Sequence, residues 1–275
     1  MYDLPPGTPD RVILLAVGDG ADGDHAGRLL RAMLAAEGRT LAVVAPTADR
    51  AARCARELAG PGRYVLPYAA DPADREALPR ALAEAARELG PPDVVIGTAV
   101  AAPEAGDEDP WHRVLDSGVT GSHRLATAAA GLMLGSARPG RIVLLAAAEP
   151  PGRRGGPLHP ASRAAAAALA ALVAGWAAQW PADRLTVNAV VPDGTAGPAR
   201  TAAALRFLAL AQPPGLTGQV LTVRGAAGRT AGAGGGAGTD GTRGAGRPRG
   251  AAGTRRSRGT DGPDLTGLAG SRAGG

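Results

Sequence analysis

The sequence predicts an α/β protein in which a doubly wound parallel sheet of about seven strands is covered by helices on both faces. Three observations carry that expectation. Apolar runs of strand length recur along the chain, and segments of helical periodicity separate them. The strand runs are continuous rather than alternating, as expected where both faces of a parallel sheet are buried. Strand–helix alternation throughout implies βαβ units with right-handed crossovers.

In chain order, the expected strands are Arg11–Val17, Thr40–Ala45, Arg63–Leu66, Asp93–Ile96, Arg141–Ala146, Leu185–Val191 and Gln219–Val223. The expected helices lie near 25–37, 48–59, 72–89, 110–135, 160–180 and 199–211. Gly38 follows the first helix as a C′ residue does. Asp71-Pro72 reads as a cap followed by an N1 proline for the third helix. Pro181 closes the Ala-rich fifth helix. Within that helix Leu169, Leu172, Val173 and Trp176 recur at spacings of three and four and form one apolar stripe.

Composition changes sharply after Gly225. Residues 226–275 hold 17 Gly, 8 Arg and 3 Asp, with no aromatic residue and only Leu265 and Leu268 as large aliphatics. Such a segment cannot bury enough apolar surface to offset its ordering entropy, so a disordered tail is expected there. The organisation expected is therefore a short lead (1–10), one domain (11–225) and the tail (226–275). The tail's +5 equals the net charge of the whole chain, which leaves residues 1–225 neutral. The basic balance thus belongs to the tail and not to a basic face of the domain. Arg247-Pro-Arg249 and Arg255-Arg-Ser-Arg258 suit weak, sequence-blind contact with nucleic acid. Without aromatic residues there is no base stacking to add.

Every Lys/Arg position is Arg, which excludes Schiff-base and lysine general-base chemistry. Cys54 is the only cysteine, so there is neither a disulfide framework nor a cysteine metal cluster; a small core residue is expected there. Residues 1–10 lack a charged segment followed by an apolar one. The uncharged run Ala164–Ala178 is short for a bilayer. A cytoplasmic protein without a membrane span is expected, and no metal site.

Four segments carry a family resemblance. Asp93-Val-Val-Ile, Gly140-Arg-Ile-Val, Leu185-Thr-Val-Asn-Ala-Val-Val-Pro and Leu216-Thr-Gly-Gln-Val-Leu-Thr-Val resemble, in order and spacing, strands of short-chain dehydrogenases/reductases, especially 3-oxoacyl-acyl-carrier-protein reductases. The resemblance covers roughly residues 10–225 and implies a Rossmann-like fold. It also implies an Asn-Ser-Tyr-Lys tetrad: Tyr exchanges the substrate proton, Lys lowers the tyrosine pKa and holds the nicotinamide ribose, Ser polarises the carbonyl, and Asn orders a water relay. Counted from the matching strands, those four positions fall on Gly118, Ala147, Ser162 and Ala166. The family's Asn-Asn-Ala-Gly after the fourth strand is here Gly97-Thr98-Ala99-Val100.

Nothing nearby replaces the lost chemistry. Ser162 is a weaker acid than a phenol and shorter, and Ala166 supplies no cation. His159, one turn from Ser162, is the only titratable neighbour in sequence, and it equally suits a helix start after which Ser162 follows.

The family's phosphate loop is altered as well. Val17-Gly-Asp-Gly-Ala-Asp-Gly-Asp-His-Ala-Gly27 keeps Gly18, Gly20, Gly23 and Gly27 as candidate cofactor-binding residues but is three residues longer and adds Asp19, Asp22 and Asp24. A carboxylate about 4 Å from a phosphate charge is repelled by roughly 4 kcal/mol at an effective dielectric of 20. Asp24 also suits a helix cap, with the other carboxylates turned to solvent. After the second strand, Arg50 is the nearby cation for an added 2′-phosphate, and Asp49 offsets part of its field. No cofactor, or weak NAD(H) or NADP(H) binding, is expected.

The family's lid is missing too: Ala202 and the next core helix follow Val191-Pro192 after about ten residues. These losses point to a non-catalytic family member. Its expected role is a structural or partner subunit, paired with itself or with an active reductase through helices 110–135 and 160–180. The alternative is an NAD(P)-dependent oxidoreductase with unconventional active-site residues.

Overall fold

In a computed structural model of the chain, residues 12–17, 31–34, 40–71, 74–98, 110–136, 138–146, 160–193 and 195–225 are described. All of them belong to one compact unit, Met1–Gly228. The lead, Gly38 and the tail at 226–275 lie outside the described residues.

Seven strands form one sheet: β1 (Val12–Val17), β2 (Thr40–Ala45), β3 (Tyr64–Ala69), β4 (Val94–Thr98), β5 (Gly140–Leu145), β6 (Leu185–Pro192) and β7 (Val220–Val223). Their order is β3-β2-β1-β4-β5-β6-β7. All six pairings are parallel. The order reverses between β1 and β4, and in sheets of this class ligands bind beyond the strand ends at that switch point. There Ala16 lies opposite Gly97 and Val17 opposite Thr98.

The helices are α1 (Ala48–Leu58), α2 (Ala77–Leu89), α3 (Pro110–Leu115), α4 (Ser122–Leu134), α5 (Pro160–Gln179) and α6 (Pro198–Arg206). The strands are completely buried from β1 to β2, as their apolar runs require. One face of the sheet packs on α2, α4 and α5 through residues such as Leu82, Ala129, Leu169, Val173 and Trp176. The other packs on the helical residues 31–34, α1 and α6 through Leu34, Cys54, Leu58 and Leu205. Leu169, Val173 and Trp176 of the expected stripe are buried against the sheet, each burial stabilising by roughly 1.5–3 kcal/mol. Cys54 is the expected core residue, and burial pushes its thiol pKa up.

Both sheet edges are blunted. β3 carries Pro67 in an edge strand, where a missing N–H removes no ladder bond from the interior. β7 is only four residues long.

Several local expectations need correction. The third helix runs from Ala77, and just before it Asp74 Oδ1 accepts from Glu76 N (2.7 Å) and Ala77 N (3.0 Å); Pro72, expected at the helix start, lies outside the described residues. The Ala77 and Glu76 N–H groups hold that carboxyl below the usual range. The strand expected at 63–66 continues to Ala69, in register with all of β2. The helix expected at 110–135 is interrupted by a turn of π-helix, Asp116–Gly121, and that at 199–211 ends in another, Phe207–Ala211. The uncharged run Ala164–Ala178 sits in a 20-residue helix long and apolar enough to cross a membrane by length and composition, one such helix among the described residues. Its Leu169–Val173–Trp176 side is in the sheet core.

At the N-terminal ends of the strands, guanidinium groups close the helices. Arg63 donates to Leu58 O (3.2 Å) and to Leu34 O (2.9 Å), joining the ends of two helical segments. Arg184 donates to Leu134 O (3.2 Å) and Ser136 O (2.6 Å) at the end of α4. Arg141 donates to Ala209 O (3.1 Å), in the π-turn that follows α6. The planar fork of arginine reaches two carbonyls at once, which suits it to this task. Asp93 completes the set, accepting from Val12 N (2.8 Å) while Arg138 lies 3.3 Å from its other oxygen.

Candidate active site

Two of the expected tetrad positions, Gly118 and Ser162, lie where α3, the π-turn and the start of α5 pack together. A π-turn carries one residue more than an α-turn, so the chain must bulge; such bulges recur at functional sites. Here the bulge contains two glycines, Gly118 and Gly121, both buried. Two glycines three apart in an otherwise helical run were the sequence signal for it. Val114 on α3 packs with Ala161 and Ala165 on α5, and Leu115 and Val119 close the same cluster. Gly118 and Ser162 thus sit on the two segments that this small apolar cluster joins.

Of the four tetrad positions, three are described. Gly118 is buried in the π-turn. Ser162 is 3% exposed, and its Oγ has no hydrogen-bond partner among the described residues. Ala166, one turn further along α5, is half-buried and packs against the core. Ala147 lies outside the described residues, although Ala146 before it is buried and bonded to Val190 O at 2.9 Å. Gly18, Gly20, Gly23 and Gly27, the three aspartates among them, and His159 also lie outside the described residues.

A buried hydroxyl without a partner costs about 1–3 kcal/mol. Ser162→Ala is therefore expected to raise the melting temperature by a few degrees, a ΔΔG of about 1 kcal/mol. A fall in melting temperature would show that the hydroxyl is satisfied in solution.

At the switch point, Thr98 Oγ1 donates to Ala16 O (3.2 Å), tying β4 to β1. Gly97 beside it is needed for packing: a Cβ there would lie 2.5 Å from Leu125 Cδ2 and 2.9 Å from Leu144 Cδ2. After β2, Thr47 Oγ1 accepts from Arg50 N (3.3 Å) and caps α1. These groups serve the fold. Among the described residues none of the His, Cys, Asp and Glu side chains forms a cluster that could hold a metal ion.

The segment where a lid would lie is short. Residues 193–197 connect β6 to α6. Thr195 is fixed by its bonds to Asp193, whose carboxyl these bonds hold below the usual range. Thr195 Oγ1 then accepts from Gly225 N at 2.7 Å. A Cβ at Gly225 would meet Thr195 O at 2.5 Å, so the glycine permits this closure.

Asn188, from the third family-like segment, has a framework role. It is fully buried. Nδ2 donates to Gln212 Oε1 (3.0 Å) and Leu216 O (2.9 Å), and Oδ1 accepts from Gln219 N (2.9 Å). Gln212 in turn donates to Thr186 Oγ1 (2.7 Å). Asn188 and Thr217-Gly218 stand within the family-like segments of the sequence; the part played by Gln212 became visible only in the fold.

The chain belongs to the short-chain dehydrogenase family: the family model for short chain dehydrogenase matches residues 23–205. Solved structures agree in fold. A short-chain type dehydrogenase/reductase from Mycobacterium marinum superposes with a TM-score of 0.64 at 20% identity, covering 79% of this chain and 95% of that one. A short chain dehydrogenase from Mycobacterium smegmatis gives 0.60 at 25% identity, with 78% and 92% covered. A short-chain dehydrogenase/reductase from Serratia marcescens gives 0.62 at 22% identity, with 79% and 98% covered. No curated protein matches the sequence significantly.

Proposed function

We propose that this family member is non-catalytic and acts as a structural or partner subunit of a reductase-type oligomer. The observation that carries the reading is the first two turns of α5. The positions that correspond to Tyr and Lys hold a buried Ser162 hydroxyl with no partner and an Ala166 side chain. A family member with Tyr and Lys at these positions has a phenol and a cation there to move a proton and to hold a nicotinamide ribose. A serine hydroxyl with no neighbouring cation does neither at neutral pH.

The described residues fit a nicotinamide cofactor poorly. Among the described residues no cation stands at positions 162 and 166, and after β2 the Thr47 hydroxyl is already engaged in capping α1. A short 193–197 connection supports the same reading, since a substrate pocket without a lid stays open to water. NAD(P) therefore enters no step of this proposal.

What α5 does present is a surface. Arg163, Ala167, Ala171, Ala174 and Ala178 are exposed at spacings of three and four, opposite the side buried in the sheet. Side chains this small allow a second helix to approach closely. The proposed contact surface is formed by α5 with α3 and α4, and the subunit associates with itself or with an active reductase.

The test is direct. Purified protein is expected to show no turnover of ketoacyl thioesters or simple ketones with NADH or NADPH, and calorimetry is expected to show no binding of either cofactor in the micromolar range. Turnover that disappears in Ser162→Ala would favour the second reading, an NAD(P)-dependent oxidoreductase with unconventional residues. The observation favouring that reading is the same unpartnered hydroxyl, which a bound ligand would satisfy.

A further inference from the structure

We propose that assembly through the α4–α5 surface is gated by the charge of His123: the neutral imidazole permits the contact, and its protonation opens it. This regulation rests on the subunit reading above. Its basis is a ladder of three nearly parallel rings laid across the two helices. His123 on α4 stacks on Trp176 of α5, with centroids 5.8 Å apart and planes inclined by 16°. Trp176 stacks in turn on Trp180, just past the end of α5, at 5.5 Å and 5°. Trp176 is rooted in the sheet core, whereas His123 is exposed.

The indole fixes where the charge falls. An imidazolium is attracted to an indole face, so protonation does not release the ring to swing out into water. The charge is gained instead at the surface that a second subunit covers. Nothing there answers it. Neither α4 nor α5 contains an acidic residue. Among the described residues the His123 ring has no hydrogen bond or ion pair. Exposed neighbours on the two helices are small: Thr127, Gly131, Ala174, Gly175 and Ala178.

The charged groups on the surrounding elements are cations or are engaged elsewhere. Arg124 follows His123 and acts on Asp74, ahead of α2. On α2, which packs beside α4, Glu88 accepts from the Tyr68 hydroxyl (2.7 Å), and the other charged residues are Arg80, Glu84 and Arg87. Asp116 in the π-turn lies two turns earlier, roughly 10 Å along the axis at 1.5 Å per residue. α5 adds Arg163, more than three turns before Trp176, and the loop after it Asp183. The strands beneath present apolar side chains.

The sign follows. A charge without a counter-ion is costly to bury, so the assembled state favours the neutral ring. Histidine is the side chain whose charge changes between about pH 5 and 8, and His123 is the only one on α4 and α5. Assembly is therefore present on the alkaline side and lost as the pH falls. The carboxyls of Asp74 and Asp193 are held below the usual range, so they keep their charge through this window.

The experiment is sedimentation of the full chain at about pH 8 and about pH 5.5, alone and with an active reductase of this family added. The dissociation constant is expected to rise at least about tenfold at the lower pH. In His123→Gln, which keeps an uncharged polar side chain, the difference is expected to shrink to within about threefold; in His112→Gln, on α3, it is expected to remain. His123→Arg carries a permanent cation that also stacks on indole, and it is expected to assemble at the higher pH as weakly as the original does at the lower. Melting temperatures at both pH values show that each variant is folded. A pH dependence that survives in His123→Gln or vanishes in His112→Gln overturns the inference and leaves the subunit reading standing. So does an association unchanged or tighter at the lower pH, or an Arg variant that assembles normally at the higher. A monomer at both pH values, with and without the reductase, overturns both.

Discussion

Asn188→Leu is expected to destabilise the fold by about 4 kcal/mol, read as a shift in the urea midpoint with an unchanged slope. The substitution keeps the branched shape and removes three hydrogen bonds in the sheet core, leaving Gln212 Oε1, Leu216 O and Gln219 N without their partner. Each buried group so stranded costs about 1–3 kcal/mol, and domains are stable by about 5–15 kcal/mol in total. Gln212→Leu should cost less, since Asn188 Nδ2 keeps its bond to Leu216 O. A loss below about 1 kcal/mol for Asn188→Leu would mean that the 212–219 segment rearranges and that the network does not fix β7 to β6.

The second large effect concerns assembly. Ala167→Arg and Ala171→Arg each place a charge in the middle of the α5 surface, and both positions are exposed in the single chain. The fold should therefore be kept while the dissociation constant rises by about a hundredfold, because a charge buried at a contact without a counter-ion costs several kcal/mol. Light scattering across a concentration series measures the association, and thermal unfolding checks the fold. Loss of the fold in these variants, or assembly unaffected by both, would remove α5 from the interface.

The sequence disclosed the architecture because that architecture depends on periodicity. β1 and the Leu41–Ala45 part of β2 are uninterrupted apolar runs, and both of their sides are buried. It was less informative where a turn is decided by a single competing contact. Asp71-Pro72 has the composition of a helix start, yet the carboxylate that takes the N–H groups before the helix is that of Asp74, which reaches those of the second and third residues after it. The π-turn at Asp116–Gly121 was hidden because its flanks keep helical spacing; only its paired glycines hint at the extra residue. At the site, positions could be assigned by counting from strands, since the identity of a side chain is a local fact. The condition of Ser162 could not, because an unpartnered hydroxyl is a property of its surroundings.

The arginine clamps lie at the ends of the strands where chains enter the sheet, at Arg63, Arg141 and Arg184, while the family's chemistry takes place where the strands leave it. These are separate tenancies of one scaffold. Guanidinium stays charged across the whole biological pH range, and carbonyl acceptors come from the backbone, so the lower storey is insulated both from acidity and from most side-chain drift. A lineage could thus strip the upper storey of phenol, cation and lid one mutation at a time without ever meeting a folding crisis. Changes in the upper storey therefore leave the anchors of this fold untouched.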